Sequence, residues 1–159
     1  MEERISLDAV KAYLDQVREL TDEIKVQEKV LDALRSDVGL QSTGMDQVGS
    51  RSIGHVSDSV ATAAMRLYDM DQSLADKRAL LNVVKGRLMG QMDEMQTPIY
   101  RQLLLCRYIL LMTWSKVGGM LGYDVRQVYR LHERALIEFV EIFQKDVTSS
   151  QSESLYTTY

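Results

Sequence analysis

The sequence predicts an all-α fold, in which two long helices are followed by a cluster of shorter ones. Three observations carry this. Only one Pro interrupts 159 residues. Apolar residues recur at heptad spacing in two long series. Gly and Ser cluster between those series. With 45% apolar and 26% charged residues, the composition is that of an ordinary globular chain, which excludes collagen-like and wholly disordered readings. A single Cys, Cys106, excludes an intramolecular disulfide and suits a reducing, cytoplasmic setting. The start, Met1-Glu2-Glu3-Arg4, leads into an amphipathic pattern, so no signal peptide is expected. No apolar run approaches the roughly eighteen residues of a membrane span, so no membrane partner is expected either.

The first series places Val10, Val17, Ile24, Leu31 and Val38 in one row, with Tyr13, Leu20, Gln27 and Leu34 in the other. Ser6 suits the N-cap and Asp8 the first turn, so a helix is expected over about 6–38. Gly39, Gly44, Gly49 and Gly54 then break all periodicity, and 39–57 reads as a flexible loop; its His55 reads as a solvated side chain. The second series has Val60, Leu67, Leu74, Leu81, Leu88 and Met95 in one row and Ala63, Met70, Lys77, Val84 and Gln91 in the other. Each helix would be roughly 50 Å long, with a seam too narrow to stand alone. Folding back as an antiparallel, coiled-coil-like hairpin over 6–96 buries both seams. Pairing with a second chain as a homodimer would do the same.

Thr97-Pro98 marks a new start, with Thr97 as N-cap, Pro98 at the first helical position and a helix to about Tyr108. Cys106 reads as a small apolar packing residue. The run Thr113-Trp-Ser-Lys-Val-Gly-Gly-Met-Leu-Gly-Tyr-Asp-Val-Arg-Gln-Val-Tyr-Arg-Leu-His132 reads as helix, tight turn, helix. Thr113 can cap the first helix. Gly122 suits a left-handed exit, and Asp124 with Gln127 forms a capping-box pair for the second. Counting from Trp114, a small residue, Gly118, falls at the fifth place and Gly122 at the ninth. Apolar Val117, Leu121, Tyr123, Val128 and Leu131 fall where a helix-turn-helix locks its crossing. That domain is expected over 97–145, followed by a polar, disordered tail over 146–159.

Charge is distributed unevenly. Residues 97–145 carry seven Lys/Arg against four Asp/Glu, whereas the rest carries twelve against nineteen, within a net charge of −4. Arg126, Arg130 and Arg134 recur at i, i+4 and i+8, opposite the locking apolar residues, with Gln127 and Tyr129 beside them. Such a face can hold phosphates and pair with base edges in a major groove. As a plain solvated face, the same stripe would instead form ion pairs with Glu133 and Glu138. His132 reads as an edge-packing or backbone-bonding residue.

The segment Leu104-Leu-Cys-Arg-Tyr-Ile together with Thr113 to Leu136 resembles region 4 of bacterial sigma factors, which reads the upstream promoter element and touches RNA polymerase. It is more similar to the sigma-region-4-like phage and prophage proteins of the ArpU/RinA late-regulator type, over about forty specific residues. The resemblance implies that Val125, Arg126, Gln127, Tyr129 and Arg130 face DNA bases and that Thr113 and Lys116 lie near phosphates. Arg134 continues the basic stripe. The family usually has basic residues where Val125 and Tyr129 stand, and acids where Ser115 and Lys116 stand. The expected function is a phage-type transcriptional regulator binding double-stranded DNA, acting with host RNA polymerase. The alternatives are a small-terminase-like packaging subunit and a protein-interaction module without DNA. With two His, no metal-ligand spacing and no phosphate-cradling loop, no enzyme activity, metal or cofactor is expected.

Overall fold

The computed structural model describes residues 6–43 and 53–156, with side chains over 6–37 and 60–149. The described residues are all-helical, without strands. The helices are α1 (Leu7–Thr43), α2 (Ile53–Asp93), α3 (Pro98–Leu104), α4 (Trp114–Leu121) and α5 (Val125–Tyr156), with a π-helical segment over Leu105–Ile109. No described helix is long and apolar enough to cross a membrane. Two compact units divide the chain: Leu20–Asn82, and the described residues of Met1–Glu19 with Val83–Tyr159. The boundary expected near 96 therefore lies inside a unit. The ends of both long helices pack with the C-terminal elements because those elements offer them a third apolar layer.

Within Leu20–Asn82, Ile24, Leu31 and Leu74 are buried, with Leu67, Met70 and Leu81 packed against them. Cross-helix partners run in opposite order along α1 and α2: Glu23 with Lys77 at 3.1 Å, Arg35 with Asp71 at 2.7 Å. The helices are thus antiparallel here. The two polar heptad residues of this unit find partners. Gln27 donates to the Met70 carbonyl at 3.2 Å, and Lys77 bonds Glu23.

In the other unit, Ser6 caps α1 as expected, its hydroxyl accepting from the Ala9 amide at 3.1 Å. Val10, Leu14 and Val17 of α1 and Leu88 and Met92 of α2 are buried beside Leu103, Leu104, Val117, Leu136 and Phe139. Tyr13 packs on Phe143 with ring centroids 4.4 Å apart. Buried Gln91, the third polar heptad residue, accepts from the Tyr13 hydroxyl at 2.9 Å and donates to Asp146. That bond ties α5 down beyond residue 145, one turn after buried Ile142. The tail expected to be disordered is accordingly helical through Tyr156. The loop expected over 39–57 is likewise helical at 39–43 and 53–57. One Gly costs a helix only about 1 kcal/mol, so Gly39 does not end it. Residues 44–52, and the side chains of Val38 and His55, lie outside those described.

Pro98 occupies the start of α3 and Thr97 its N-cap position, but the threonine hydroxyl accepts no cap bond. Glu138 of α5 instead holds the residues that lead into α3, accepting from the Gln96 and Thr97 amides at 2.7 and 3.0 Å. Burial raises its carboxyl, but hydrogen bonds from Thr97 and the Gln96 amide outweigh this and hold it below the usual range. The helix expected to reach Tyr108 widens instead into a π turn. The Leu110 amide bonds the Leu105 carbonyl at 3.0 Å, and Leu111 then adopts φ 55. Such a left-handed residue with a side chain costs about 1–2 kcal/mol and breaks the helix sharply before Thr113.

Candidate nucleic-acid interface

Thr113 caps α4 with an extended backbone, its hydroxyl accepting from the Lys116 amide at 3.4 Å. α4 ends at Gly122, whose φ of 78 gives the left-handed exit. The Gly118 carbonyl accepts from the Gly122 and Tyr123 amides, both at 2.9 Å. A Cβ on Gly118 would lie 2.6 Å from the Tyr123 carbonyl oxygen and 3.4 Å from Val128 Cγ2. The close approach that demands glycine is therefore mainly to the turn, not to the second helix. Gly119 faces open space, so nothing in the structure requires it. Val117, Gly118 and Val128 are buried, and Leu121 and Leu131 are half-buried. Tyr123, expected to help lock the crossing, is instead 38% exposed, since it sits in the turn itself.

Asp124 and Gln127 form the expected reciprocal cap. The Gln127 amide donates to Asp124 Oδ1 at 2.8 Å, and the Asp124 amide donates to Gln127 Oε1 at 3.1 Å. Gln127 was expected as a base reader as well. Its Oε1 accepts one bond in the cap and retains a second lone pair, and the Nε2 donors are left for another partner.

Beyond the cap, α5 buries Val128, His132, Ala135 and Phe139 on one face. Arg126, Arg130 and Arg134 stand exposed on the opposite one. None of them, nor Lys116, has an ion-pair partner within 4.0 Å among the described residues. Glu138 is engaged with the residues that lead into α3. Val125 and Tyr129 are exposed at 39% and 47%.

Behind Tyr129 stands an aromatic brace that sequence patterns did not reveal. Trp114, at the start of α4, lies 5.0 Å from the Tyr129 ring and 4.7 Å from His132, measured between centroids. The Arg107 guanidinium sits 4.2 Å over Trp114, and Arg107 also donates to the Met112 carbonyl at 2.8 Å. His132 is buried and bonded to the Tyr108 hydroxyl at 2.8 Å, so its partner is a side chain and not backbone. Burial, reinforced by the Lys11 and Arg107 charges, pushes the imidazole down to about 4, so it is neutral at pH 7. Burial pushes the Tyr108 phenol up. The i, i+3 spacing of Tyr129 and His132 was the available signal, but only the chain reversal at Leu111 brings Trp114 and Tyr108 to them.

A cleft of about 320 Å³ opens beside this brace, where Lys11 and Arg107 are matched by Asp15 and Glu133. Cys106 is buried, its sulfur 3.5 Å from Met120 Sδ, and burial raises its thiol, away from the reactive thiolate form. No group of three or more His, Cys, Asp or Glu positioned for a metal occurs among the described residues. Comparisons with protein-family models, curated proteins and solved structures return no match for this chain.

Proposed function

We propose that this chain binds double-stranded DNA through α4 and α5, acting as a helix-turn-helix of the sigma-region-4 kind, with the paired long helices as a supporting hairpin. The observation that carries this reading is the arginine row of α5. Arg126, Arg130 and Arg134 lie opposite the buried face and have no carboxylate partner among the described residues. A merely solvated face would use Glu133 or Glu138 to neutralise it. Each unpaired guanidinium is free to displace counterions from a phosphate or to fork onto a guanine edge.

Thr113 and Lys116 at the start of α4 extend the same reading to the DNA backbone, and Tyr129, braced by Trp114, offers a rigid aromatic beside the row. Gln127 serves first as the cap that fixes where α5 begins. A regulatory role alongside host RNA polymerase follows from the resemblance of this segment to sigma region 4 and forms part of the proposal. A gel-shift titration against mixed-sequence duplex at low salt tests the DNA step. Binding is expected for the native chain and a large loss for Arg126→Ala with Arg130→Ala. No binding at any salt, or equal binding by the double variant, overturns it.

A further inference from the structure

We propose that Val125, with Tyr129 one turn beyond it, selects thymine in a DNA duplex by meeting its C5 methyl group, an inference that rests on the DNA-binding reading above. α5 opens at Val125, and its first turn is fixed by bonds that leave that side chain out. The Val128 amide donates to the Asp124 carbonyl at 2.9 Å, and Asp124 and Gln127 close their reciprocal cap. Val128 itself is buried. Val125 is left 39% exposed and Tyr129 47% exposed. Four residues apart, they share a helix face, and Tyr129 also neighbours Arg126 at i−3. Neither side chain withdraws easily. A β-branched valine is stiff at χ1, and the Tyr129 ring is backed by Trp114 at 5.0 Å between centroids. Single exposed apolar residues are ordinary. This pair is set apart by its place in the first two turns of α5, beside guanidiniums without an ion-pair partner among the described residues.

The chemistry of base edges identifies what such a pair meets. The first turns of a recognition helix are the part that approaches the bases. In the major groove G, C and A present hydrogen-bond donors and acceptors, and thymine adds an apolar group, its C5 methyl. Valine has no side-chain donor or acceptor. Set against a polar edge, it strips water from groups whose bonds it cannot replace. Set against a thymine methyl, both partners remove apolar surface from water. Arg126 and Arg130, bound to phosphates or a guanine edge, would hold the apolar pair against the groove floor. From Val125 to Tyr129 the helix rises about 6 Å, close to two base-pair steps of about 3.4 Å. Val125 is therefore the specificity-determining residue, and Tyr129 extends the contact to a second thymine.

Selection of duplexes from a randomised pool by the full chain, at low salt, begins the test. Each thymine of the enriched sequence is then replaced singly by deoxyuridine, which lacks only the methyl group, and affinity is read by fluorescence anisotropy. Thymine is expected at one or two positions of the enriched site, and uracil there is expected to weaken binding roughly fourfold per methyl contacted. Val125→Ser, with helicity checked by circular dichroism, is expected to bind the thymine and uracil duplexes alike at one of those positions. Duplex binding without a thymine preference overturns the inference and leaves the DNA reading standing. So does equal affinity of the native chain for thymine and uracil at every position, or undiminished discrimination by Val125→Ser. No duplex binding at any salt overturns both.

Discussion

The same two helices serve both compact units, yet they are buried to different depths. In the unit that includes α5, Val10, Leu14, Val17, Leu88 and Met92 are fully inaccessible, because α3, α4 and α5 supply a third apolar layer. In Leu20–Asn82, heptad positions such as Leu34 and Val60 remain 36% and 44% exposed. The heptad pattern specifies which side chains turn toward a neighbour. It does not specify how many neighbours there are, and the number of neighbours sets the depth of burial and the stability that follows from it.

That contrast can be broken most forcefully in the cores. Phe139→Ala, at a fully buried position, is expected to cost about 3–5 kcal/mol in chemical denaturation. Leu31→Ala, in the thinner seam, is expected to cost about 2–3 kcal/mol, because its surroundings can collapse or hydrate more readily. Equal losses at the two positions would remove the distinction.

Acid should separate the units next. His132 is held near 4 in the fold against about 6.5 unfolded, so the folded state binds fewer protons between those values. Its contribution is complete above pH 6.5 and lost as the pH falls toward 4, roughly 3 kcal/mol in all. Glu138, with a lowered carboxyl, contributes above the usual carboxylate range and is lost as the pH falls below it. Amide hydrogen exchange from pH 7 to 5 should show protection falling in α5 before it falls in α1 residues 20–37. His132→Gln should flatten that dependence.

The two adjacent glycines of α4 give the smallest and most local contrast. Gly118→Ala forces a Cβ against the Tyr123 carbonyl and is expected to cost about 1–3 kcal/mol and to weaken DNA binding by displacing the turn. Gly119→Ala meets open space and should raise stability by up to about 1 kcal/mol. Thermal melts of the two variants should therefore move in opposite directions.

Local signals are legible in the sequence where the chemistry itself is local. Ser6, Thr113, the left-handed Gly122 and the Asp124–Gln127 cap depend on a few neighbouring residues, and each makes the expected bond or adopts the expected backbone. The arginine row is legible for the same reason, since three residues at four-residue spacing must share a helix face. Contacts distant in sequence escaped. Nothing near Glu138 indicates that it holds the residues leading into α3, some forty residues earlier. Nothing near Asp146 indicates that Gln91 bonds it. The Trp114, Tyr129 and His132 brace depends on a backbone reversal at Leu111, a residue type that rarely adopts it.

The salt dependence of duplex-DNA binding tests the central claim most directly, with fluorescence anisotropy on the native chain and on Arg126→Ala, Arg130→Ala, Arg134→Ala combined. If the row neutralises phosphates, the slope of log affinity against log salt should become shallower by about 0.9 for each contact removed, while the melting curve stays unchanged. An unaltered slope, or a native slope near zero, would contradict the assignment of the row to DNA.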